Sequence, residues 1–129
     1  MTSEHNHLKP TILLLVDRRQ SRTARMLKSS GYNIITTFTP DHAVAICVNN
    51  KVEAVVLDQQ HFVETEGWSV AKSLKMIRAN VCVVLVVRGR IMGANLPEGV
   101  DAVVPEHEDE ALLETLDQIL SRSGKLAAD

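Results

Sequence analysis

The residues best placed to do chemistry are arginines and aspartates. Arg18, Arg22 and Arg25 recur at helical spacing beside Arg19, and Arg88 and Arg90 follow a long apolar run that should end at the same edge of a sheet. Such a cluster can bind an anion, a nucleotide or a partner's phosphate, near helix N-termini that already favour negative charge. A solvated basic face is the commoner outcome of the same pattern. Asp17 closes the apolar run Ile12-Leu-Leu-Leu-Val and Asp58 closes Val55-Val-Leu. Either acid alone could serve a ligand site, cap a helix or sit solvated in a loop. Cys47 and Cys82 lie inside apolar segments, at neither metal-ligand nor disulfide-framework spacing, and read as reduced core residues. His5 and His7 form a lone His-x-His near a terminus, too few ligands for a strong metal site. No glycine-flanked nucleophile and no suggestive pairing of His with Asp supports a hydrolase, so the chain is not expected to be an enzyme.

These residues need a scaffold, and the chain can build one. Its 129 residues, 45% hydrophobic and 23% charged, suit one compact domain with its own core. A net charge of -2 argues against a whole-surface nucleic-acid binder. The first ten residues carry no secretory apolar stretch, and Val81 to Val87 is too short to span a bilayer, so a cytoplasmic, non-membrane protein is expected. Residues 1–10 and 122–129 read as flexible ends around a domain at 11–121.

Five short apolar runs, at 11–16, 33–37, 54–57, 81–87 and 102–104, alternate with polar, helix-length segments. The runs at 11–16, 54–57 and 81–87 are apolar throughout, as in strands covered on both faces, and should be central. A first helix should run from about Gln20 to Ser30 and stop at Gly31. Thr39, Pro40 and Asp41 read as N-cap, first-turn proline and dipole-matched acid of a second helix through Val48. A third helix, from about Gly67 to Ala79, should bury Val70, Leu74 and Ile77. Leu112, Leu113, Leu116, Ile119 and Leu120 repeat at the spacing of a last helix. Between Arg88 and Glu98, Gly89, Gly93 and Pro97 break the pattern, so the fourth crossover helix should be short or distorted. Ile91, Met92 and Leu96 in that segment are core or interface residues. The succession predicts an α/β, doubly wound, five-stranded parallel sheet of flavodoxin-like order 2-1-3-4-5. Any ligand site belongs outside the carboxyl ends of strands one and three, where Asp17 and Asp58 fall.

The segments Ile12-Leu-Leu-Leu-Val-Asp17, Leu27-Lys-Ser-Ser-Gly-Tyr32, Val55-Val-Leu-Asp58 and Gly99-Val-Asp-Ala-Val-Val-Pro105, followed by Leu112-Leu113, resemble the receiver domains of two-component response regulators. The resemblance covers about residues 11 to 121 and rests on the order and spacing of the pieces. It implies that Asp58 is the phosphoacceptor, served by a histidine kinase or phosphotransfer protein. It also implies Mg²⁺, held by Asp58 and by an acidic pair that here reads Asp17-Arg18, leaving Asp17 as the remaining acid. The family's lysine after strand five matches Glu106, whose charge would repel phosphoryl oxygens. Its hydroxyl at the end of strand four matches Val87, and its switching aromatic on strand five matches Val103. Phe62 and Gly67 depart from the usual loop after the acceptor. The resemblance therefore implies an atypical, degenerate receiver. Arg18 and Glu106 are complementary in sign, and Arg18 could occupy the metal position and pair with Asp58 or Glu106, or point to solvent. A stand-alone module of this kind would act by protein contacts, with a separate output protein or a second copy as a homodimer. Anion or nucleotide binding at Arg18, Arg88 and Arg90 is the alternative.

Overall fold

The computed structural model describes residues 10–16, 22–58, 64–78, 80–87, 99–105 and 107–122, with the side chains of residue 58 and residues 64–69 outside that description. Strands β1 (Thr11–Leu15), β2 (Asn33–Thr37), β3 (Ala54–Asp58), β4 (Cys82–Val87) and β5 (Ala102–Pro105) alternate with helices α1 (Arg22–Ser29), α2 (Pro40–Asn49), α3 (Glu64–Ile77) and, after β5, α4 (Asp109–Arg122). The strands form one sheet in the order β2-β1-β3-β4-β5, all pairs parallel, as the apolar rhythm predicts. Uninterrupted apolar runs end up central because each strand must bury side chains on both faces.

One face packs α1 and α4, through Leu27, Leu112, Leu116, Ile119 and Leu120, against Ile12, Leu14, Val56 and Val84. The other packs α2 and α3, through Ala43, Cys47, Val70, Ala71 and Leu74, against Leu13, Leu15, Val55, Leu57, Val83 and Leu85. Both cysteines are free and buried, as the sequence implied. Burial pushes the Cys47 thiol above its ordinary range, and the nearby Arg78 only partly offsets this. No helix among the described residues is long and apolar enough to cross a membrane.

Local signals place the helix ends. Gly31 takes φ 99 just beyond α1, a conformation that side-chain-bearing residues resist. Thr39 caps α2, its hydroxyl oxygen accepting from the His42 N–H at 3.2 Å. Helix α3 departs from expectation. It starts at Glu64 rather than Gly67, because a glycine inside a helix costs only about 1 kcal/mol and does not oblige the helix to begin there. Its buried row is Val70, Ala71 and Leu74, while Ile77 is 38% exposed. Ile77 is the last residue of α3, where the helix runs out of core to pack on. Gly99 turns with φ +89 against the middle of this helix, so close that a Cβ there would stand 3.1 Å from the Lys72 backbone nitrogen. The expected short or distorted helix at 88–98 lies outside the described residues.

Candidate functional site

Strand register gathers the carboxyl ends. Leu15 pairs with both Thr37 and Leu57, Asp58 pairs with Val86, and Val87 pairs with Pro105. One residue past β1, the Val16 N–H still donates to the Thr37 carbonyl at 3.0 Å. Asp58 is therefore the last residue of a central strand, one step beyond the Leu15 to Leu57 pair and beside the β1/β3 boundary. That boundary is where the strand order reverses direction, the position at which open α/β sheets bind ligands. The residues expected to complete the site, Asp17, Arg18, Arg88, Arg90 and Glu106, lie outside the described residues, as does the Asp58 side chain.

Val87 and Val103 are described, and both are half-buried against the core on the α2 and α3 face. Val103 pairs with Leu85, two residues before Val87, so the two valines are diagonal neighbours on one sheet face. A valine offers no hydroxyl and no ring, so a hydroxyl and an aromatic moving together has no counterpart at these two positions.

Two helix starts flank this edge. Arg22 opens α1 and donates to Asp109, which opens α4, at 3.0 Å. The pair joins segments 87 residues apart, one following β1 and the other following β5. It also commits Arg22, one of the arginines considered for anion binding, to a carboxylate within the chain. His107, after β5, holds φ 68, in the left-handed region that histidine enters more readily than most residues. Sequence reasoning missed Thr37 at the end of β2. It is 3% exposed, and its hydroxyl is the one buried side-chain polar atom without a hydrogen-bond partner among the described residues. A threonine closing an edge strand was the available signal. Beside it Phe38 is 41% exposed.

No group of three His, Cys, Asp or Glu able to hold a metal occurs among the described residues. The donor chemistry of Asp17 and Asp58 nevertheless fits a hard cation such as Mg²⁺, which takes one or two carboxylates and keeps water in its remaining positions.

No protein-family model and no curated protein matches the chain. Solved structures do match. A CheY-like response regulator receiver domain protein from Methanospirillum hungatei JF-1 superposes with TM-score 0.73 at 20% identity, covering 91% of this chain and 98% of that one. The receiver domain of the TMAO respiratory system response regulator TorR gives TM-score 0.74 at 24% identity, covering 88% and 98%. The response regulator protein TrrA, solved in complex with the histidine kinase ThkA, gives 0.74 at 19% identity, covering 86% and 98%. The likeness spans nearly the whole of each chain, and the chain has the fold of these receiver domains.

Proposed function

We propose that this chain is a response-regulator receiver domain in phosphorelay signalling, that Asp58 is its phosphoacceptor, and that it signals by contacts with other proteins rather than by enzymology of its own. The observation that carries this reading is the position of Asp58, which ends the third strand of a 2-1-3-4-5 sheet at the ligand-binding boundary. The segments that resemble receivers by sequence and the solved receivers of the same fold support it independently. A histidine kinase is the natural donor, since one structural neighbour was solved with its kinase. The chain is read as a cytoplasmic protein whose signal passes to a separate output protein or to a second copy of itself.

The site is degenerate in chemistry. Asp17 and Asp58 would hold Mg²⁺, which when bound lowers the repulsion between a carboxylate and a phosphoryl donor. Arg18 beside that position and Glu106 in place of a lysine both work against a bound phosphoryl group, and Val87 cannot donate to it. Incubation with acetyl phosphate and Mg²⁺, followed by intact mass, tests the acceptor. A phosphoryl mass that disappears in Asp58→Asn is expected, at low yield. Arg18→Asp combined with Glu106→Lys should raise that yield by about tenfold or more, the effect of removing at least 1.4 kcal/mol of repulsion. No phosphoryl mass in either form would leave a constitutive interaction module and refute the acceptor role.

A further inference from the structure

We infer that the paired carboxy-terminal ends of α2 and α3 dock an acidic amphipathic helix of a separate protein. Four large hydrophobic side chains are exposed among the described residues, and three of them, Val48, Met76 and Ile77, fall here. Val48 is 54% exposed and Met76 86%, although both helices bury their other apolar residues against the sheet. Helices α2 and α3 are neighbours on one sheet face, and both return from its carboxyl to its amino edge, so their last turns lie side by side. Arg78, just past α3, fixes the level by donating from Nε to the Cys47 carbonyl at 2.7 Å. Val48 follows Cys47, and Met76 and Ile77 precede Arg78, so this bond gathers the three apolar residues in one place.

The rim of this patch is basic. Lys51 is exposed just beyond α2, Lys72 is exposed one helical turn before Met76, and Arg78 has no ion-pair partner among the described residues. The acids nearest in the fold are held by the sheet, Glu53 accepting from the Thr11 N–H and Asp101 from the Val83 N–H. An apolar centre ringed by cations selects a partner that offers apolar side chains flanked by carboxylates, and a helix does so with anchors recurring along one face. Met76 suits such a contact, because an unbranched thioether adapts to the anchor it meets. A bilayer fits less well, since polybasic recognition of anionic lipid takes about four to eight Lys or Arg, more than this rim carries. A second copy also fits less well: a twofold contact centred here would set like charges against each other.

Fluorescence anisotropy on the full chain tests this with a labelled synthetic peptide of about four helical turns, leucines along one face and glutamates on the other. Micromolar binding is expected, weakening as salt rises because the rim is exposed. A peptide of the same composition with its leucines spread round the helix should bind about tenfold more weakly or worse. Val48→Glu with Met76→Glu should weaken binding of the acidic peptide by about tenfold or more. Lys51→Glu with Lys72→Glu should weaken it too, and should admit a peptide carrying lysine in place of glutamate, a gain that a folding defect could not imitate. No binding of the acidic peptide up to about 1 mM would overturn the inference, as would equal binding of the two leucine arrangements or unchanged binding in either double variant. So would binding of phosphatidylserine-containing vesicles, or self-association in sedimentation velocity, that is lost in Val48→Glu with Met76→Glu. The inference rests on the reading that the chain signals by protein contact and gives the chemistry of one partner. Asp58→Asn should abolish the phosphoryl mass and leave peptide binding unchanged, so the two can fail separately.

Discussion

The described side chains at the amino and carboxyl edges of the sheet behave differently. At the amino edge, acids complete the hydrogen-bond ladder. Glu53 accepts from the Thr11 N–H at 2.7 Å, while its own N–H donates to the Thr11 carbonyl and its carbonyl accepts from Cys82. Asp101 accepts from the Val83 N–H at 2.7 Å and from the Lys75 ammonium at 2.8 Å, and donates its N–H to the Val83 carbonyl. Arg78 ties α3 to α2 through the Cys47 carbonyl at 2.7 Å. At the carboxyl edge the described side chains behave otherwise: Thr37 has a buried hydroxyl without a partner, and Val87 and Val103 bring no polar group. An edge whose acids are spent on backbone N–H groups gains stability and forgoes ligands. Asp58, for which we propose the chemical role, ends β3 at the other edge.

Substitutions at the two edges should therefore separate stability from function. The largest loss is expected from Gly99→Ala, which puts a Cβ at φ +89 and 3.1 Å from the α3 backbone. A decrease of about 2 to 3 kcal/mol in urea unfolding, with an unchanged slope, is expected from these combined strains. Asp101→Ala should cost about 2 kcal/mol, and Asp101→Asn roughly half that, because the amide still accepts from Val83. A negligible loss in both would remove the distinction between the edges.

Tyr32 offers a smaller effect with a definite pH signature. Burial, and then the hydrogen bond and charge of Asp117, raise its phenol well above the ordinary value of 10.0. Above about pH 10 the unfolded chain loses the phenolic proton and the folded chain keeps it, so unfolding becomes easier as pH rises. The contribution is complete below that pH and lost progressively above it. Tyr32→Phe should cost about 1 kcal/mol at neutral pH and flatten the fall in melting temperature on the alkaline side. The smallest change is expected at Thr37→Val. Replacing an unpartnered buried hydroxyl by a methyl of similar shape should leave stability unchanged within about 0.5 kcal/mol or raise it. A loss above that would show that the hydroxyl has a role at the carboxyl edge.

Much of this protein was readable from its residues. Apolar runs without alternation marked β1, β3 and β4 as central, and their succession implied the strand order, because a parallel sheet buries both faces. Thr39 with Pro40, and Gly31, marked helix ends through purely local chemistry. The placement of Asp58 at the end of β3 followed from the same runs. Tertiary structure alone decided the rest. Glu53 and Asp101 look like ordinary loop acids until the ladder brings Thr11 and Val83 to them. Ile77 fits the helical apolar row, yet it is the last residue of α3 and is left 38% exposed. Arg22 belongs to an arginine cluster in the chain, but pairs with Asp109 in the fold. Periodicity and caps are written in neighbouring residues, whereas the partner of a charge depends on which distant segments the sheet sets side by side.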